Sequence, residues 1–386
     1  MPKGINPKAK LVKNLFAADI EMKPTRDGYG QGLLLLGKTN PNVIVLCADL
    51  SESTRSHWFK KEFPDRFVQM GIFEQAMAAI ASGFALAGKI PFISSYAGFS
   101  PGRNWEQIRT TAALNNANVK VAGAHAGVSV GPDGATHQMI EDIAIMRVMP
   151  NMVVLAPSDM HETKKATIAA ASVYGPHYLR FGREKSPVFT TPATPFQVGR
   201  AETFRFGTHV TIVACGIVVH EALKAAEELS KKGIEAEVID CHTIKPLDVK
   251  TILASVKKTG CVVTAEEHQA HSGMGSAVCE MLASNFPVPV ERIGVQNRFG
   301  ESGDPFMLMD AFGLTAPYIQ MAVRRVVARR DGKRVSEIPE YITAAEKRAA
   351  DLKKQIISEA LARTPREWGG KKGTIKDLIA EKKKKA

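Results

Sequence analysis

Apolar positions in this chain follow two alternating patterns, and the alternation predicts its architecture. From Arg26 a helix-like stretch, GYGQGLLLLGKTN, runs into the short apolar run NVIVLCADL. The beat repeats: GIFEQAMAAIASGFALAGK is helical in spacing, PFISSYA strand-like, NWEQIRTTAALNN helical, VKVAGAHAG strand-like, and NMVVLAPSD opens another crossover. Short apolar runs that stop at polar residues, each followed by an amphipathic stretch, describe an α/β domain with a mostly parallel sheet. After YLRFGREKSPVF the segment TTPATPF reads as a linker, because its prolines interrupt both ladders and helices. A second unit starts near Phe196 and cycles through HVTIVACG, VHEALKAAEELSKKG, IEAEVIDCH, DVKTILASVKKTG, CVVTAEE, SAVCEMLASNF and VERIGV, a smaller doubly wound domain. The expected organisation is an arm over 1–21, a first α/β domain over 22–192, a second over 196–330 and a basic helical tail over 331–386. In the tail Ile342, Ala345, Ala349, Leu352 and Ile356 recur at steps of three and four, predicting a one-stripe helix that ends before Gly369-Gly370, with a solvated KKKKA beyond.

Composition narrows the class. With 386 residues, 45% hydrophobic and 23% charged, the chain has material for two cores. Its net charge of +12 is uneven: from Asp331 onward 15 Lys and Arg face 9 Asp and Glu. Half of the excess sits in the tail, so the body is only mildly basic, which suits anionic small substrates as well as it suits a nucleic-acid groove. A polynucleotide binder would interleave aromatic and basic residues on one face, and that pattern is absent. No apolar run reaches the ~20 residues of a bilayer span, and MPKGINPKAKLVKN lacks an apolar signal core, so a cytoplasmic protein without membrane contact is expected. The five cysteines Cys47, Cys215, Cys241, Cys261 and Cys279 are widely spaced in apolar surroundings and read as reduced structural thiols.

Three segments carry candidate chemistry. In MGIFEQAMAAIASGFALAGK, Glu74 opens a helix of small and apolar residues; it is either a charge favoured by the helix dipole or a carboxylate kept for proton work. In GAHAGVSVGPDGATHQMIED, a glycine-rich loop after a strand holds His125, Asp133 and His137, where α/β sheets place ligands. Hydrogen bonding to a hydroxylated or carbonyl substrate, incidental polar residues, and a metal site are all readings of it, although the fixed helical spacing of a zinc motif is missing. Arg26 and Arg183 bracket the first domain, and a guanidinium is a planar fork for phosphate; each alone also reads as solvated charge.

Together these segments resemble the transketolases, specifically the C-terminal subunits of the split, two-chain type. The likeness runs from about Thr25 to Arg325 and rests on TRDGYGQ, ADLSEST, MGIFEQ, GRNWEQIR, GPDGATHQ, APSD, EEHQAHSGMGSAV, FGESG and FGLTA. GIFEQ and GPDGATHQ, in that order and separation, are the specific part. The resemblance implies a thiamine-diphosphate-binding, pyrimidine-type domain followed by a transketolase C-terminal domain. It implies that Glu74 hydrogen-bonds the aminopyrimidine of the cofactor, with Tyr96 and Phe99 packed on that ring and Asp49 lining the same region; Tyr96 and Phe99 also read as strand-end core aromatics. It places His125, Asp133 and His137 on the sugar, Arg26 and Arg183 on its phosphate, and makes Glu74 and His137 the catalytic residues. Arg180, in YLRFGRE, competes with Arg183 for the phosphate role. The reaction implied is transfer of a two-carbon ketol unit from a ketose phosphate to an aldose phosphate in the pentose phosphate pathway.

The family holds Mg2+ and the diphosphate through a GDG motif, and this chain has none: PDG at 132–134 belongs to the histidine loop, and RDG at 26–28 and 330–332 lies in the wrong setting. A separate N-terminal subunit carrying the diphosphate and Mg2+, in an α2β2 assembly, is therefore expected. The nearest alternative is a 1-deoxy-D-xylulose-5-phosphate synthase-like enzyme, which normally carries all its domains on one chain and has arginine where His125 stands. The beta subunit of a 2-oxo-acid dehydrogenase lacks the GPDGATHQ loop. A non-catalytic scaffold would have no need for a buried polar cluster.

Overall fold

Two open sheets carry the chain, and the computed structural model describes residues 4–363, 365–368 and 371–374. The larger sheet has seven strands in the order Thr243–Lys245, Val153–Leu155, His177–Arg180, Lys120–Ala124, Ile90–Tyr96, Val43–Cys47, Phe67–Gln69. Every pair is parallel except the first. Val43–Cys47 is buried at each position, which is why it reads as an unbroken apolar run: helices cover both faces of a parallel sheet. The smaller sheet runs Val290–Val295, Val262–Gln269, Val210–Ala214, Ala236–Asp240, Glu202–Arg205, parallel but for the last strand.

One close approach places the first functional segment. Helix Thr25–Thr39 lies on helix Met160–Ser172 so tightly that a Cβ on Gly28 would sit 2.1 Å from the Met160 carbonyl oxygen; only glycine permits it. The start of the first helix is then pinned to the end of a central strand, with Gly182 N–H donating to Thr25 Oγ1 at 2.8 Å. Arg26 and Arg183, 157 residues apart, are each neighbours of that bond.

The two sheets are not hinged on a bare linker. Strand Thr243–Lys245 leaves the second unit to edge the first sheet. A single apolar cluster joins Met77, Ile93, Ile143 and Val154 to Val213, Cys215, Ile252 and Val256. The N-terminal arm adds a strap: Ile5 bridges to Arg205, Leu11 and Leu15 enter the second core, and Met22–Pro24 pairs antiparallel with Lys185–Pro187. Apart from a short 3-10 turn at Pro7–Ala9 the arm is not helical up to Met22.

Packing of the second unit continues past Arg330, where the sequence reading closed it. In helix Glu340–Arg363 the stripe residues Ala345, Ala349 and Leu352, with Tyr341, are buried in the second core. Tyr341 Oη donates to Glu291 at 2.8 Å and Arg348 pairs with Asp310 at 2.8 Å. These stripe residues therefore pack on their own chain. Gly369-Gly370, KKKKA and the side chain of Ile356 lie outside the described residues. Pro305–Arg330 matches a membrane span in length and composition, yet 61% of its most apolar window is buried; it is two helices, Pro305–Ala311 and Ala316–Arg330, packed on the second sheet. All five cysteines are free thiols.

Candidate active site

The candidate residues gather where the strands of the larger sheet end. Glu74 begins helix Glu74–Leu86 and is 1% exposed. Arg103 Nη1 donates to its Oε2 at 2.7 Å, Ser95 Oγ to its Oε1 at 3.3 Å, and Asn104 Nδ2 to its backbone carbonyl at 3.0 Å. A buried carboxylate with a charged partner that is itself about half exposed is held in place while one side stays replaceable. Simple dipole matching would leave a first-turn glutamate in solvent; this one points inward.

Beside it lies a layered aromatic surface. Tyr96 ends strand Ile90–Tyr96 and stacks on His125 with centroids 3.9 Å apart; Phe99 lies 5.9 Å from Tyr96, and His137 meets Phe99 edge-on at 5.4 Å. The Arg103 guanidinium sits 4.8 Å above Phe99, within cation–π range. His125 follows strand Lys120–Ala124 at φ 55, a left-handed conformation that a non-glycine residue adopts only at a cost.

The charges that act most strongly on His125 are cationic. Burial, and then the guanidiniums of Arg26, Arg183 and Arg55, push its pKa down to about 2, so the imidazole is neutral throughout the physiological range. Its buried Nδ1 has no protein partner. Arg26 donates to the Ser53 carbonyl at 3.0 Å, while its buried Nε has no partner. Arg183 donates to Asp133 Oδ1 and to the Val130 carbonyl, both at 3.0 Å, so two residues assigned separately from sequence form an ion pair. Arg180 cannot take the phosphate role: it is 6% exposed, bound to Asp142 at 2.8 Å and to the Glu267 carbonyl at 2.6 Å. The site thus offers a neutral imidazole and a second histidine beneath three guanidiniums, the donor set for a hydroxylated anion.

Two other placements complete the account. Asp49, at φ 57 just past strand Val43–Cys47, accepts from Gln69 Nε2 at 2.7 Å. His137 Nδ1 pairs with Thr136 Oγ1 at 2.9 Å. Among the described residues no group of three or more His, Cys, Asp or Glu side chains is arranged to hold a metal. Arg103, Ser95, Asn104 and Arg55 were not singled out from sequence; Arg103 and Asn104 lie within GRNWEQIR, which had been noted only as a motif.

Residues 21–188 match the family described as transketolase, pyrimidine binding domain, and residues 199–319 match the transketolase, C-terminal domain. A Methanocaldococcus jannaschii protein described as a transketolase C-terminal section is 44% identical over 295 residues, 76% of this chain and 92% of the relative. This chain belongs to the transketolase family. It corresponds to the C-terminal section of the split-gene type. The structure of a split gene transketolase, an inactive beta4 tetramer, superposes with a TM-score of 0.75 at 44% identity, covering 79% of this chain and 98% of that one. Mouse transketolase-like protein 2 is 41% identical over 313 residues, 80% of this chain, but the chain spans only 49% of its length. The strand ends of the larger sheet at which Glu74 and the aromatic surface lie fall within the part of the chain that matches the pyrimidine binding domain.

Proposed function

We propose that this chain is the pyrimidine-side subunit of a cytoplasmic two-chain transketolase, transferring a two-carbon ketol unit between sugar phosphates with thiamine diphosphate. The observation that carries the reading is Glu74, a carboxylate buried beside an aromatic surface and able to exchange Arg103 for a ring nitrogen. Thiamine diphosphate, when bound, supplies the carbon nucleophile and electron sink of the reaction. Glu74 would hold the proton at the pyrimidine ring nitrogen, Tyr96 and Phe99 would fix the ring, and Asp49 would line the approach. His125 and His137 would orient the hydroxyl and carbonyl of the ketose, Asp133 would read the hydroxyl configuration, and Arg26 and Arg183 would hold the phosphate.

A partner completes the site in this reading. Helix Glu74–Leu86 turns an apolar face outward: Ile72 and Phe73, just before Glu74, are 68% and 67% exposed, and Ile80 and Leu86 continue the stripe. An apolar patch of this kind beside a candidate catalytic residue marks an interaction surface. The partner would be an N-terminal subunit bearing the diphosphate and Mg2+ site, in an α2β2 assembly, since the chain has no GDG. The related beta4 tetramer is described as inactive, which fits a chain that self-associates without its complement.

The test is to mix the chain with an N-terminal section, thiamine diphosphate and Mg2+ and follow ketol transfer from xylulose 5-phosphate to ribose 5-phosphate. Activity only in the full mixture is expected. Activity of the chain alone overturns the split assembly, and a complex that consumes pyruvate with glyceraldehyde 3-phosphate instead establishes the synthase alternative. In the active mixture Arg183→Ala should raise KM for phosphorylated sugars about 10- to 100-fold, the loss of one charge-assisted contact. Unphosphorylated analogues should lose less, only what the freed Asp133 costs, and an equal loss with both would remove Arg183 from the phosphate.

A further inference from the structure

The loop that carries Asp133 and His137 is assembled by both domains. Ser129 N–H donates to Glu267 Oε1 at 2.6 Å, and Glu267 comes from the second-domain strand Val262–Gln269. At Gly127, with φ +93, a Cβ would lie 2.2 Å from the same carboxyl group, so the loop is laid flat on it. Gln138 Nε2 donates to the carbonyls of Val128, Gly131 and Glu301, and the Gln269 N–H donates to the Ile140 carbonyl. A Cβ on Gly134 would meet Ser302 Oγ at 2.4 Å, and one on Gly131 would meet Pro305 at 2.7 Å. Of these anchors Glu267 is the charged one, 3% exposed, with its own backbone carbonyl held by Arg180 at 2.6 Å.

We propose that Glu267 is a positioning residue: through Ser129 it sets the loop 127–138 in the conformation that presents Asp133 and His137 to the sugar, and gives the second domain a direct part in substrate affinity. A charge-assisted bond to a backbone N–H, made where water is excluded, is short and directional. It stands at the near end of a loop whose far end carries the substrate residues. The consequence for the reaction rests on the ketol-transfer reading above; the effect on the loop does not.

Two measurements separate the two. Hydrogen exchange on the chain alone should show residues 127–138 exchanging roughly 10-fold or more faster in Glu267→Ala, with strand Ile90–Tyr96 unchanged, because local opening is confined to the released segment. In the complete mixture Glu267→Ala should raise KM for the sugar phosphates roughly 10-fold or more, with thiamine diphosphate affinity near wild type, the signature of lost substrate positioning. Glu267→Gln, whose amide oxygen still accepts from Ser129, should recover most of both. Unchanged loop exchange in Glu267→Ala overturns the proposal. So does faster exchange throughout the sheet together with lost cofactor affinity, which would make Glu267 a general fold residue. A wild-type mixture with no ketol transfer would sink the proposed reaction while the exchange result still decides Glu267.

Discussion

Glu74→Ala in the reconstituted mixture is expected to lower kcat by about 10^2- to 10^4-fold, the range for removing a positioned proton-transfer group. Assembly and fold should survive. The carboxylate is buried, but its charged partner Arg103 is about half exposed and can return to solvent, so no unpaired charge is stranded inside. The backbone bond from Asn104 Nδ2 to the Glu74 carbonyl does not depend on the side chain. Unchanged sedimentation of the complex and an unchanged thermal midpoint would accompany the loss. Glu74→Gln distinguishes two roles, since an amide keeps the shape and hydrogen-bonding reach but cannot hold the proton. If Glu74→Gln retains activity within about threefold, less than the weakest proton-transfer effects, Glu74 anchors the ring without taking part in proton work.

Much of this was legible in the chain because parallel sheets write a simple code. Val43–Cys47 and Val210–Ala214 are short, mostly apolar runs, and both are interior strands paired on both sides. Glu74 was visible as a lone acid opening a helix of small and apolar residues, although a dipole-favoured charge reads the same way, and His125, Asp133 and His137 share one local loop. What escaped was made by contacts distant in sequence. Strand Thr243–Lys245 adds itself to the other domain's sheet, and three residues have no periodicity to announce them. Arg103 meets Glu74 across 29 positions and Glu267 meets Ser129 across 138; each looks like an ordinary charge until the chain folds. The stripe of Ala345, Ala349 and Leu352 was visible as a helix face, but a face does not say which surface covers it.

His125 should make the folded chain sensitive to acid in a way that one substitution removes. Its pKa of about 2, set by burial and then by Arg26, Arg183 and Arg55, lies far below the ~6.5 of an unfolded histidine. Between those values the unfolded chain binds a proton that the native chain refuses, so the contribution is complete above pH 6.5 and is lost as pH falls. The slope is about 1.4 kcal/mol per pH unit, or about 2 kcal/mol between pH 6.5 and pH 5. Other buried groups titrate too: burial holds His177 at about 3 and raises the Asp159 and Glu267 carboxyls, which act in the opposite direction. The clean measurement is therefore a difference. Denaturant melts of wild type and His125→Phe, compared at pH 7.5 and pH 5, should shift by about 2 kcal/mol in favour of the variant at the lower pH. An unchanged difference, or a His125 ring resonance that titrates near pH 6.5, would mean that the imidazole is not buried among cations. Inorganic phosphate bound between Arg26 and Arg183 would cancel part of their field and draw the His125 pKa upward, so the acid sensitivity should diminish as phosphate is added. The same dependence on phosphate would locate the anion beside His125 before any sugar is tested.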